Sequence, residues 1–380
     1  MSNPMYIVRS TDTEILAHSE SGGAVASILK CALDAKLIDG VVAVKAKNGD
    51  RFAGIPVLLQ DSSDLLETTG SLHCSAPNIA RFVKEYLDGA SKMKLAVVGK
   101  PCDIRAIIEL QKREQIDKEN VTLIGFNCTG TISPATARQM FREEFKINPD
   151  DIISEEVENG RVTITLKDGI EKSKSLQSLE KKGFGLRENC RRCLYNIPVF
   201  ADIAIGKWGT EEETEKSSFV EVCSDKGNIL FDKALKKGYI EATKASKKSI
   251  DIREEKDRIQ IETSRKWREH DFNPILEMNQ EERINYWMEE FSQCIKCYGC
   301  RDACPICYCE SCLLEANRDF LEAGVIPPSA LFPLTRLAHV ADSCVACGQC
   351  QDACQWNYLY LSFSLSQTLN CKKYLTMRQE

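Results

Sequence analysis

The sequence predicts an α+β chain, with a mixed α/β domain followed by a smaller domain organised by its cysteines. Three observations predict it. Strand-like and helix-like stretches alternate through the first half, an Asn-Gly hairpin interrupts them, and the cysteines are unevenly placed. Of 19 cysteines, seven are spread over residues 1–223, eleven crowd into Cys294 to Cys354, and Cys371 lies in the tail. The 380 residues, 43% of them apolar, suit a soluble globular protein of two or three domains. A net charge of -6 repels a phosphate backbone, and no basic block interleaved with aromatics offsets it, which argues against a nucleic-acid partner.

Taken in order, Arg9, Asp12 and Glu14 fall where an apolar signal core would lie, and no apolar run long enough to span a bilayer follows. The expectation is a cytoplasmic protein without a membrane span. Ser21-Gly22-Gly23 precedes an apolar helix over Ala24 to Leu33. Leu95 to Val98 reads as a strand ending at Gly99, and Ile104, Ile107, Ile108 and Leu110 recur at helical spacing after it. Val121 to Phe126 repeats the strand signal, and Ser133-Pro134 supplies an N-cap and first-turn proline for a helix through Phe145. Asn159-Gly160 between Val157 and the alternating Val162, Ile164 and Leu166 predicts a hairpin. Lys244 to Glu290 is highly charged and predicts a solvated connector with some helix. The expected layout is residues 1–245, a charged connector over 246–285, and a last domain over 286–380.

In a reducing compartment dense cysteine usage points to metal, and spacing says which. Cys294-x-x-Cys297-x-x-Cys300-x-x-x-Cys304-Pro305 has the spacing of a bacterial ferredoxin run, and Cys344, Cys347, Cys350 and Cys354 repeat it. One short loop supplies three corners of a cubane, so the fourth thiolate must cross over from the other run. Cys294, Cys297, Cys300 and Cys354 are assigned to one 4Fe-4S cluster, and Cys344, Cys347, Cys350 and Cys304 to a second. Structural zinc uses two Cys-x-x-Cys pairs and would leave the third loop cysteine idle. Cys307, Cys309 and Cys312 lack a ferredoxin spacing and read as packing thiols. Leu313 to Val340 reads as a helical insertion broken at Pro327-Pro328. After Cys354 the usual proline is missing. One choice of codons, shifted by a base, restores it, so a frameshifted tail is an expectation that the gene's nucleotide sequence decides.

Four further cysteines stand where loops leave strands: Cys102 after Gly99-Lys100-Pro101, Cys128 after Gly125-Phe126-Asn127, and the pair Cys190-x-x-Cys193. Together with Ser21-Gly22-Gly23, Thr69-Gly70-Ser71, Ser75-Ala76-Pro77-Asn78, Ala201-Asp202-Ile203 and Ser217-Ser218-Phe219 before Gly227, they give a sequence that resembles the beta-subunit family of coenzyme F420-reducing hydrogenase and F420-linked formate dehydrogenase. The resemblance covers essentially the first 245 residues. It implies FAD and a 4Fe-4S cluster in that domain, with Cys102, Cys128, Cys190 and Cys193 at its motifs; the bland alternative is four buried packing thiols. Cys31, Cys74 and Cys223 sit in helical or strand patterns and read as core.

For the flavin, the helix start at Ser21, Gly22 and Gly23 could face a pyrophosphate with backbone N–H groups. Gly70, Ser71, Ser75 and Asn78 offer a second polar loop, Lys100 a positive charge, and Asp202 with Lys207 in the Gly206-Lys207-Trp208-Gly209 loop completes the expected pocket. The family commonly has another residue where Lys207 stands. No Gly-x-Gly-x-x-Gly fingerprint is present, which argues against an ordinary NAD-binding unit. The two cysteine runs point to the formate dehydrogenase branch. The resemblance then implies an electron-transfer subunit partnered by a molybdopterin-containing catalytic subunit, with FAD, three 4Fe-4S clusters and coenzyme F420 as hydride substrate. The alternatives are an F420H2-oxidising input subunit of a hydrogenase, membrane or heterodisulfide reductase complex, and a polyferredoxin carrier with no substrate of its own. No side chain stands out as an acid or base.

Overall fold

A computed structural model describes residues 3–47, 49–310, 312 and 331–354. It divides into two compact units, Met1–Glu262 and Thr263–Glu380. Both contain helices, and among the described residues the strands fall in the first, so the α+β expectation holds.

The first unit is built on a mixed sheet. Its strands are β1 (Met5–Ser10), β2 (Gly40–Lys47), β3 (Asp50–Leu59), β4 (Leu95–Gly99), β5 (Val121–Phe126), β9 (Ile203–Gly206), β10 (Ser218–Val222) and β11 (Ile240–Lys244). Among the described residues they lie in the order β11-β1-β10-β9-β5-β4-β2-β3. The four central strands β9, β5, β4 and β2 run parallel, flanked by antiparallel neighbours. Central parallel strands are covered on both faces, which is why Leu95, Ala96 and Val97 are apolar without alternation and fully buried.

Crossover helices cover those faces: α2 (Ala24–Asp34), α3 (Ile79–Tyr86), α4 (Pro101–Gln111) and α8 (Asp225–Lys236), after the short α1 (Thr13–His18). Each start is chemically specified. Asp103 accepts the Lys100 N–H at the head of α4, Ser224 accepts the Gly227 N–H in α8, and Asn78 accepts the Arg81 N–H in α3. The helix expected from Ser133-Pro134 is α5 (Pro134–Met140) and continues as a wider π turn over Phe141–Phe145. The hairpin is also present. Asn159 and Gly160 take φ of 50° and 68° between β6 (Ile152–Glu158) and β7 (Arg161–Leu166), which the left-handed turn requires, and β8 (Glu171–Ser175) completes a small sheet. Two short helices, α6 (Leu176–Glu180) and α7 (Glu188–Arg191), follow.

The expected charged connector is mostly helix: α9 (Lys247–Leu276) and the first part of α10 (Gln280–Ser292). The unit boundary falls inside α9, because Arg253 is buried against Glu221 at 2.8 Å and so ties the start of this helix to the sheet. In the second unit Ile275, Trp287, Phe291 and Leu337 pack together. The insertion expected over 313–340 is described from residue 331, where α12 (Leu331–Ala338) begins; its earlier part and the tail after Cys354 lie outside the described residues. No helix among the described residues is long and apolar enough to cross a membrane.

Candidate functional site

In open α/β sheets ligands bind beyond the carboxyl ends of parallel strands. The first unit has a cavity of about 240 Å³ there. Lys100 follows β4, Asn127 to Thr131 follow β5, and Gly206 to Trp208 end and follow β9; all of these line it. Ser21 and Gly23, at the start of α2, form another wall. Gly23 takes φ of 71°, and a Cβ on Gly22 would stand 2.5 Å from the Val8 carbonyl oxygen and 2.6 Å from the Ser218 nitrogen. Glycine is therefore needed at both positions for the turn to lie against the strands and expose its backbone to the cavity.

Of the ten residues expected at a flavin, Ser21, Gly23, Gly70, Ser71, Ser75, Lys100 and Lys207 line the cavity, while Gly22, Asn78 and Asp202 do not. Asn78 is occupied as the cap of α3. The Asp202 carboxylate accepts the Leu123 N–H at 2.7 Å and the Ser224 hydroxyl. It ties β5 and β9 to the start of α8 rather than reaching a pocket. Lys100 pairs with Asp103 at 2.8 Å; burial works against its charge, but Asp103 and the nearby thiols of Cys102 and Cys128 outweigh that and raise its pKa. Lys207 is likewise raised, against burial, by Glu156 and Glu158.

Among the lining residues that sequence reasoning missed are Glu20, His73 and Asn127. The Asn127 amide sits over Gly206, where a Cβ would come within 2.3 Å of it, and both its Oδ1 and Nδ2 are buried without a hydrogen-bond partner. A buried amide left unpaired costs about 1–3 kcal/mol, so an orphan on a residue that lines a cavity marks a place for a ligand that offers both donor and acceptor. The pyrimidine edge of a flavin has that pattern. The residues present fit FAD: an amide for the ring system, a helix start for the phosphates, and two cations.

Beside the cavity lie the four thiols. Cys128 lines it. Cys102 is electrostatically coupled to Cys128 and Cys193, and Cys128 to Cys190 and Cys193. The loop after β5 and the segment around α7 are stitched together: Arg187 N–H donates to the Thr131 carbonyl at 2.9 Å, Cys128 N–H to the Asn196 carbonyl at 2.9 Å, and the Thr131 hydroxyl stands 3.5 Å from the Cys190 sulfur. Burial, with Asp103 behind it, pushes the Cys102 thiol well up; burial and Cys190 push Cys128 up to about 12. Among the described residues no three His, Cys, Asp or Glu groups converge closely enough for a single metal ion. Four thiols within electrostatic reach of one another are the kind of donor set that a 4Fe-4S cubane takes. Cys31 and Cys74 are fully buried, as core residues should be.

The second unit holds the two runs in matching loops. Lys296 and Ala346 occupy equivalent places and take φ of 52° and 56°; Tyr298 and Gly348 take 64° and 76°. In each loop an N–H donates to the first cysteine sulfur at 3.4 Å, from Lys296 to Cys294 and from Ala346 to Cys344. Each loop leads into one helical turn, α11 (Gly299–Asp302) and α13 (Gln349–Asp352). The electrostatic interaction between thiols crosses the runs: Cys300 interacts with Cys294, Cys354 and Cys297, and Cys350 with Cys344, Cys304 and also Cys300 of the first run. A cavity of about 40 Å³ lies against Cys300, Cys304, Cys344, Cys347 and Cys350. Cys307 is held up by burial and is coupled to Cys309 and Cys312.

A ligand cavity with one thiol, Cys128, in its wall, joined in one chain to two ferredoxin-spaced loops, defines an oxidoreductase subunit. The family model for the N-terminal part of the coenzyme F420 hydrogenase/dehydrogenase beta subunit matches residues 5–81, and the model for its C-terminal part matches residues 92–248. The chain belongs to the coenzyme F420 hydrogenase/dehydrogenase beta-subunit family. It is 44% identical over 353 residues to the F420-dependent formate dehydrogenase subunit beta of Methanocaldococcus jannaschii, covering 92% of this chain and 89% of that one. It is 42% identical to the F420-dependent formate dehydrogenase 1 subunit beta of Methanococcus maripaludis, over 90% and 86% of the two chains. A chain of the F420-reducing [NiFe] hydrogenase complex from Methanosarcina barkeri, solved with xenon, shares the fold at a TM-score of 0.63 and 20% identity, covering 72% of this chain and 93% of that one.

Proposed function

We propose that the chain is the electron-transfer subunit of an F420-dependent formate dehydrogenase, receiving electrons from a molybdopterin-containing subunit and delivering them as hydride to coenzyme F420. The observation that carries the reading is Cys128, which lines the cavity and is also coupled to Cys190 and Cys193. Flavin and cluster would share that wall, so an electron has almost no protein to cross.

In this reading Cys102, Cys128, Cys190 and Cys193 hold one 4Fe-4S cluster. The crossed coupling of Cys354 with the first run and Cys304 with the second supports two more. FAD, when bound, converts between a hydride pair and the single electrons that clusters carry. The chain's own residues orient it: Gly23 and Ser21 present the start of α2 to its phosphates, Asn127 reads the ring edge, and Lys100 and Lys207 supply positive charge. Both formate dehydrogenase relatives align over at least 90% of the chain and so extend into the cysteine runs, which supports that branch.

Anaerobic purification tests the assignment. The expected content is one FAD and about twelve irons per chain, if each cluster has four thiolates. Iron near eight would remove the first-unit cluster, and a flavin-free chain would point to a polyferredoxin instead.

A further inference from the structure

We propose that His73, held by Glu20, is the proton carrier of this cavity: when hydride passes to a deazaflavin bound there, the imidazole delivers the accompanying proton, and it takes the proton back when hydride moves the other way. The inference rests on the reading of the cavity as the hydride site and deepens it by naming the acid.

The geometry is that of an oriented imidazole. His73 Nε2 lies 3.2 Å from Glu20 Oε2, and both residues line the cavity. The backbone around the ring is fixed from two sides, because His73 N–H donates to Glu155 at 3.1 Å and its carbonyl accepts the Ile132 N–H at 3.2 Å. Among the described residues no protein group is hydrogen-bonded to Nδ1. A carboxylate on one ring nitrogen fixes the tautomer and leaves the other to face a ligand. The side chain of His73 is 16% exposed, so the ring is sheltered but reachable.

The surrounding charges decide where the proton rests. Glu20 faces the ring directly, with Glu155 and Glu156 on β6 behind it. Arg51 on β3 neutralises Glu155, and Lys207 pairs with Glu156 and Glu158. Burial alone would lower the imidazole pKa; Glu20, then Glu155 and Glu156, outweigh it and raise it. Burial would raise Glu20, but His73 and then Ser71 hold it down at about 2. The surrounding carboxylates therefore favour the protonated imidazole over its ordinary balance, beside an ionised Glu20.

The step balances without another reactant. Full reduction of a deazaflavin adds two electrons and two hydrogens, as a hydride to ring carbon and a proton to ring nitrogen. The hydride carries both electrons and would be supplied by the reduced flavin of the proposed function, which is oxidised as the deazaflavin is reduced. The His73 Nδ1–H bond breaks as the N–H bond of the reduced substrate forms, leaving neutral imidazole with Nε2–H still on Glu20. Solvent then restores the lost proton.

The test compares His73→Gln and Glu20→Gln with the wild-type holoprotein. Gln at position 73 keeps an N–H for Glu20 and cannot titrate. The His73→Gln chain should keep its FAD, reduce F420 about 100-fold more slowly in a single turnover, and lose the wild-type pH dependence. In wild type, F420 reduction should fall as pH rises through the His73 titration while F420H2 oxidation rises. Histidine-labelled NMR gives a readout apart from activity: with four histidines in the chain, the His73 titration should move to lower pH in Glu20→Gln. A His73→Gln chain with wild-type rate and pH profile overturns the inference alone. Loss of FAD from both variants makes the pair a loop clamp and also overturns it. A wild-type chain that binds FAD but exchanges no hydride with F420 overturns the cavity reading and this inference with it.

Discussion

Asp202→Ala separates a structural carboxylate from a ligand-binding one. The Asp202 side chain accepts the Leu123 N–H at 2.7 Å and the hydroxyl of Ser224, whose oxygen in turn caps α8 through Gly227 N–H at 3.1 Å. Its backbone joins the same junction, accepting from Cys223 at 2.9 Å. Each hydrogen bond to a charged acceptor contributes about 1.5–3 kcal/mol. The Ser224 hydroxyl can turn to another partner whereas the Leu123 N–H cannot, so the net loss should be about 3 kcal/mol. Asp202→Asn keeps a carbonyl for Leu123 and should lose about 1 kcal/mol. Urea denaturation of the anaerobic holoprotein, followed by flavin release, reads this directly. With an m-value of about 3 kcal/mol per M, Asp202→Ala should unfold about 1 M earlier, while FAD affinity of the folded chain stays unchanged. A tenfold loss of FAD affinity with an unmoved midpoint would refute the reasoning and return Asp202 to the pocket.

Gly22→Ala drives a methyl into backbone at 2.5 and 2.6 Å on two sides, so it should cost at least about 3 kcal/mol and empty the flavin site; Gly160→Ala, at φ of 68° with open space around it, should cost about 1 kcal/mol in the same denaturation assay. Cys190→Ser should lower iron by about four per chain and leave the other two clusters' spectra intact, whereas Cys309→Ser should leave iron unchanged. Loss of a whole cluster from Cys309→Ser would show that Cys307, Cys309 and Cys312 are ligands and not packing thiols.

The parts of the fold legible in the sequence are those fixed by neighbours along the chain. Ser133-Pro134 begins a helix, Asn159-Gly160 turns a hairpin, and the ferredoxin spacing forms matching loops, because each is decided within about ten residues. The antiparallel flank was not legible: β1 pairs with β10, bringing Ile7 opposite Phe219, and nothing local announces such a partner. The site divides in the same way. Glycine-rich turns at Gly23 and Gly70 could be read as cavity walls, but the Glu20 and His73 pair meets across 53 residues. Asn127 is conspicuous only once Gly206 is seen beneath it. Asp202 misleads for a related reason, since a carboxylate before a strand looks alike whether it faces a ligand or two buried donors.

The central claim is that the cavity exchanges hydride with F420 on its own, while formate chemistry belongs to a partner subunit. Anaerobic stopped-flow mixing of the FAD-loaded full chain with reduced F420 tests it most directly. Flavin absorbance should bleach promptly and pass electrons on to a one-electron dye, with formate inert and NADH much poorer. A folded chain that binds FAD in this cavity but is not bleached by reduced F420 would contradict the account.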